Sequence, residues 1–389
     1  MPTSRLRTVA VVLGLVATAC SERPPTEPSA LELRVKPLMT LTGAIVSEWA
    51  PVILQDVDQG LFGENADGKG DFVTRFDFDA DWNAWNNWTE SWPRPLPAYV
   101  YTTVVEEANF WFVTYDFYHP RDWCLGKNQL VPSEPPDQCL EFEAYHENDF
   151  EGAMFIVHKG PGGYGRGELY GVITHQHTSM NPYLVQPAAN RGDISMANGH
   201  QSRGFVQFWN HLGVIRPVIQ IEPRGHGVFA APDLWSVTHL DSDDGNFPGD
   251  DGVMYWYKGR NGMTGPEVPS GAADFDVAYD LLWLNQPGGL WARRYDTGVG
   301  NPFYTLATMN PSLDTYGAEF GAQYTGGVPF YGTHAKPPWA WDVGGDGALR
   351  GWFLEDPAAF ALEYFNIPEL GFYQYVYNPY CTTAHCFPQ

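Results

Sequence analysis

The stretch YHENDFEGAMFIV, residues 145–157, sets His146, Glu147, Asp149 and Glu151 directly against an apolar run. Imidazoles and carboxylates gathered in this way hold cations or exchange protons. On a strand Asp149 and Glu151 share one face, while Phe150 points to the other, toward a core. His146 has the wrong parity to join them. It does so only if residues 145–148 form a turn or bulge, for which Asn148 is suited. One imidazole in an otherwise oxygen shell fits Mg, Mn or Ca with water at open positions. The plainer alternative is a solvated strand end paired with Arg121 or Arg166.

Further groups could serve the same pocket. His175 and His177 stand two apart in THQHTSM, one hairpin later, so a strand would project both imidazoles to one face. His226, held between glycines in RGHG, is the best remaining candidate for a supporting or proton-transfer role, ahead of Asn198, His200 and His211. Two acidic stretches invite calcium. DVDQGLFGENADGKGDF, 56–72, offers Asp56, Asp58, Asn65, Asp67 and Asp71, and DSDDGNFPGDDG, 241–252, is denser, yet neither fits a helix-loop-helix calcium loop. DVGGDG at 342–347 is a weaker version. Trp82, Trp85, Trp88 and Trp92 form either a sugar-binding platform or core packing under a long loop, with packing favoured. Nothing resembles a nucleophile elbow or a phosphate-cradling glycine loop.

The elements that must position these groups are mostly strands. Aromatic residues make up 15% of the chain, and 41 Gly and 32 Pro punctuate short apolar runs. That pattern predicts a mainly β fold: an elaborated antiparallel β-sandwich with a few short helices and long loops. Strands are expected at 72–78, 98–106, 109–119, 152–159, 168–177, 214–222 and 252–257. A short hairpin connection, VEEAN, joins the second to the third. Helical spacing marks 273–285, and at 355–365 Asp356 caps a helix with Pro357 in its first turn.

The first 19 residues read as a secretory signal peptide, with Arg5 and Arg7 before an apolar stretch too short to span a membrane. Ala17-Thr18-Ala19 before Cys20 resembles the bacterial lipoprotein processing box, with Ala17 where Leu is usual. Cys20 is the expected lipid attachment, ordinary cleavage before it is the alternative, and the expected location is the bacterial cell envelope, lipid-anchored or secreted. Residues 20–40 read as a flexible tether, and 41–389 as a single domain. Cys124, Cys139, Cys381 and Cys386 remain, an even number in an oxidising compartment, and of three possible pairings the local one is expected: Cys124 with Cys139 and Cys381 with Cys386. Formal net charge is −24, and loss of the two leader arginines takes it to −26. Such a surface repels phosphate backbones, so nucleic acid is not an expected partner.

YDFYHPRDW, 115–123, followed by HENDFEGAMFIVHK, resembles the signature of the necrosis-inducing proteins, the necrosis- and ethylene-inducing-peptide-like cytolysins. The resemblance covers about residues 110–160. It implies a divalent cation held by Asp122, His146, Asp149 and Glu151. Phe150 stands where that family has Trp, Asn148 where it has a second His, and Glu147 where it has Arg. Three functions follow as expectations: a cation-dependent module that recognises a glycan or lipid head group, a metal-assisted hydrolase with His226 or a carboxylate as base, and a structural calcium-binding envelope lipoprotein. The first is preferred, because the ligand set matches a family that binds its target.

Overall fold

The computed structural model describes residues 43–57, 67–122, 146–160, 165–176, 179–211, 213–230, 252–258, 274–303, 320, 336–341 and 351–380. The expected leader, tether, Cys20, both cysteine pairs, His177, the stretch 342–347 and nearly all of 241–252 lie outside these residues. So do the side chains of His146 and His211.

The chain opens with helical residues 43–49 (α1) and strand β1, Val52–Gln55, and a short helix α2, Asn87–Ser91, precedes the long central hairpins. These are β2 (Tyr99–Glu107), β3 (Phe110–Asp122), β4 (His146–His158), β5 (Glu168–Gln176) and β6 (Ser179–Leu184). Helix α3, Gln186–Arg191, leads to β7 (Ser195–Met196), β8 (Phe208–His211), β9 (Val214–Ile221) and β10 (Val228–Phe229). After β11 (Val253–Tyr257) and β12 (Asp274–Trp283) come α4 (Trp352–Glu355) and α5 (Pro357–Tyr364), then β13 (Phe365–Asn366) and β14 (Tyr375–Tyr377).

Twelve strands form one sheet in the order β10-β9-β1-β11-β12-β2-β3-β4-β5-β6, with β14 on β2 and β8 on β9. The mainly β expectation holds. The hairpins from β2 to β6 are antiparallel, while β1 with β9, β11 with β12 and β12 with β2 run parallel, so the sheet is mixed. Its second layer is the same sheet curled back, which brings β10 against β5.

Alternation on β3 and β4 creates the two cores. Phe110, Phe112, Tyr118, Phe150, Met154 and Ile156 face one cluster, which α4 and α5 close with Phe353 and Phe360. Trp111, Val113, Tyr115, Phe117, Phe155 and Val157 face the other, where Ile53, Ile219, Ile221 and Val228 from the far side of the curl meet them. Each such side chain contributes roughly 1.5–3 kcal/mol of burial, which is why the 13 residues of β3 are buried along their whole length.

Local expectations divide cleanly. Ala108 and Asn109 connect β2 to β3, and Glu107 steadies the turn by accepting from the N–H groups of Asn109 and Phe110 at 2.7 and 3.2 Å. Asp356 caps α5, accepting from the N–H of Ala359 at 3.2 Å. Residues 72–78 form no strand, only a bridge from Thr74 to Tyr118. The helix expected at 273–285 is instead β12. Leu281 packs into one core and Leu282 into the other, and a strand apolar on both faces imitates helical spacing.

Gly152 lies across from Asp116, and a Cβ added there would stand 2.6 Å from Asp116 Oδ1 and 2.9 Å from the Trp341 ring. Asp116 is fully buried, and desolvation pushes its carboxyl well above the usual range despite the Thr114 hydroxyl that donates to it at 2.9 Å. Gly152→Ala is therefore expected to cost about 1–3 kcal/mol by overpacking, read as a lower urea midpoint. An unchanged midpoint would mean that Trp341 yields without strain.

Candidate functional site

The entrance of β4 carries the departure from regular pleating that the sequence invited. Asn148 has φ of 65°, in the left-handed region that Asn tolerates better than most residues. It is held there from three sides. Its side-chain oxygen accepts from Asn87 Nδ2 at 2.6 Å and from the Tyr118 hydroxyl at 2.8 Å, and its amide donates to the Ala84 carbonyl at 2.8 Å. The preceding Glu147 accepts from the Trp88 N–H of α2 at 2.8 Å, so neighbours 147 and 148 both turn toward α2 and strict alternation ends. The Trp cluster mostly serves packing here: Trp88 is buried, Trp82 stacks on Phe76, and Trp92 is exposed.

Beyond this kink, Asp149 lies directly across from His119, while Asp122 at the end of β3 lies across from His146. Asp149 Oδ2 meets His226 Nδ1 at 2.7 Å, and its Oδ1 accepts from the Phe150 N–H at 2.8 Å. The other nitrogen of His226 faces Asp71 Oδ1 at 3.2 Å. Burial pushes the His226 imidazole down. The hydrogen bonds and charges of Asp149 and Asp71 outweigh it, and the result is a pKa raised to about 10. His226 is thus an imidazolium at neutral pH with both N–H groups directed at carboxylates.

The turn that delivers His226 is strained. Arg224 and His226 have φ of 68° and 57°, conformations that cost non-glycine residues on the order of 1–3 kcal/mol each. Asp71 holds the turn in place, also accepting the Arg224 N–H at 2.9 Å. A Cβ at Gly227 would run into the side chains of Glu222 and Gln176, which would have to shift to admit it.

His119 stacks face to face on His226, ring centroids 3.8 Å apart and planes within 3°. Its pKa lies well below the ordinary value, through burial first and the neighbouring imidazolium second. His119 is therefore neutral. Its Nδ1 faces the Asp71 carbonyl at 3.1 Å, and because a carbonyl only accepts, the proton resides on Nδ1. Nε2 is left as a buried lone pair with no hydrogen-bond partner among the described residues.

The remaining expected residues sit close by but face other partners. His175 Nδ1 lies 2.5 Å from Glu151 Oε2, and the His175 ring stacks on Trp341 at 4.2 Å. Arg121, fully buried, donates from Nη2 to Asp67 Oδ1 at 2.8 Å and lies across from Glu147. The acidic stretch 56–72 thus sends Asp67 and Asp71 into this region, where they meet an arginine and a histidine. Among the described residues no three His, Cys, Asp or Glu side chains already converge as a ligand set.

The residue types gathered here are nonetheless those that hard cations accept as ligands. Asp71, Asp122, Glu147, Asp149 and Glu151 are each at most 8% exposed, and His119 Nε2 is a neutral donor whose other nitrogen is fixed by a backbone carbonyl, the arrangement common to metal-ligating histidines. Spacing alone missed His119 and the pairing of Asp71. The usable signal was parity: His119 shares its face of β3 with Phe117.

No family model matches the chain, and no curated protein matches it. Two solved structures show partial likeness. One, described as the crystal structure of the non-toxic HaNLP3 protein, is 13% identical, with 35% of this chain and 47% of that one covered at a TM-score of 0.18. The other, described as a toxin fold for microbial attack and plant defense, is 12% identical, with 54% of this chain and 63% of that one covered at a TM-score of 0.22. The chain thus spans less than two thirds of either, and likeness at this level assigns neither fold nor activity.

Proposed function

We propose that the protein is a binding module that takes up Mg, Mn or Ca in the acidic cluster at the entrance of β4 and uses the cation to recognise an oxygen-rich target, a glycan or a lipid head group. The observation that carries this reading is the buried lone pair of His119 Nε2, on the residue that pairs across the strands with Asp149. Leaving such a group without a partner costs about 1–3 kcal/mol, which a ligand would recover. Asp149 and His119 would hold the ion, with Asp122, His146 and Glu151 as the further ligands that the sequence resemblance implies. When bound, the ion supplies positive charge and exchangeable positions for target oxygens. An envelope location and a lipid anchor at Cys20 belong to the same reading.

Calorimetric titration of the chelator-treated protein tests it. Saturable uptake is expected for at least one of the three cations. Asp149→Asn and His119→Ala should each weaken it by about tenfold or more. No heat of binding at millimolar cation would withdraw this reading.

A further inference from the structure

We infer that a second site, the cleft between α1, the start of β5 and the start of β8, binds a neutral oligosaccharide without help from a cation. The cleft encloses about 450 Å³, within the range of small-ligand pockets. Its aromatic walls are Trp49, Phe205 and Phe208, and its polar groups include Arg166, Gln186 and Gln207.

Three properties select the ligand. First, Phe205 and Phe208 are 40% and 41% exposed, and aromatic faces left open beside polar groups suit a ring that has one apolar face and a hydroxyl rim. Second, the cleft is balanced in charge. Arg166 is answered by Glu48 at 3.4 Å and Glu168 by Arg191 at 2.9 Å, while a net charge of −24 disfavours anions. A neutral, hydroxyl-rich molecule meets all these conditions. Third, the walls are preformed. The Trp49 indole donates to the Arg166 carbonyl at 2.6 Å, and the Arg166 guanidinium lies over the same ring at 5.3 Å. Gly167 adopts φ of 68° where a Cβ would collide with the His158 carbonyl and Val157, so this wall is closely packed from behind. The exposed guanidinium and the amide of Gln186 supply donors for hydroxyl oxygens.

The cleft is distinct from the acidic cluster. Glu168 and His175 stand at opposite ends of β5, which at strand rise separates them by roughly 23 Å. Saccharide binding here stands whether or not the cluster takes up metal.

The test is titration of the purified full chain, in a chelator, with cellohexaose, laminarihexaose, chitohexaose and mannohexaose, and with a hexaproline peptide as competitor. At least one saccharide should bind. Phe205→Ala and Phe208→Ala should each weaken it by about tenfold, the loss expected for one stacking face. Urea midpoints should shift much less than for a core Phe→Ala change, because both residues are about 40% exposed. Gln207→Ala, which leaves both rings in place, should weaken binding less. The inference is overturned if no saccharide binds up to about 10 mM or if binding survives both Phe substitutions. It is equally overturned if binding needs added cation but not Phe208, which would assign the sugar to the acidic cluster, or if hexaproline binds tighter than every saccharide.

Discussion

Stability of the metal-free protein is expected to fall as pH rises from about 6.5 toward 10, and to do so because of His226. The imidazole is fully buried between Asp149 and Asp71, with its pKa raised to about 10 from the ordinary 6.5. Between those values the folded state holds a proton that the unfolded chain releases, so the slope of stability with pH is negative. The contribution is complete below the unfolded value and is lost as pH passes through the folded one. Its size is at most on the order of 5 kcal/mol, since each pH unit between the two values is worth about 1.4 kcal/mol. Urea unfolding at several pH values across this window, comparing the natural protein with His226→Gln, isolates the effect. The two profiles should diverge at low pH and approach each other above about 10. Parallel profiles would show that His226 is not held as an imidazolium.

The second large effect is expected at Arg121. Its side chain is wholly buried, donates to Asp67 Oδ1 at 2.8 Å and lies 5.9 Å from the Trp88 ring centroid. Across the strand pair it faces Glu147, itself fully buried. Arg121→Met keeps much of the volume but removes positive charge from among carboxylates, and breaking a buried pair from one side costs about 3–5 kcal/mol. Asp67→Asn should cost less, because Asp67 keeps 18% exposure and water can answer what Arg121 loses. In a double-mutant cycle the two changes should couple, so that adding Asp67→Asn to Arg121→Met costs less than it does alone. A loss below about 1 kcal/mol for Arg121→Met would place this pair with surface ion pairs of little consequence.

Both effects arise where distant segments meet, and such meetings are what a linear chain conceals. The β2–β3 hairpin and the Asp356 cap with Pro357 depend on residues within a few positions of one another. Turn chemistry and capping act at that range, so these features were legible. The kink at Asn148 was legible as a possibility, since Asn is at ease at positive φ. What fixes it are Asn87, 61 residues away, and Tyr118, 30 residues away. The sequence shows the tolerance but not the partner.

Tertiary structure alone decided the rest. Parallel neighbours on each side make a strand of β12, overriding a spacing that also suits a helix, because burial on both faces removes the polar alternation that would distinguish them. His226 and Asp71 are 155 residues apart in sequence, and only the curl that brings β9 and β10 over β4 and β5 places one against the other. That closure makes one histidine a cation and its stacked neighbour His119 a neutral donor. The two are chemically identical in the sequence. Both are fully buried, so their difference comes from which carboxylates each can reach, and that is a property of the folded sheet.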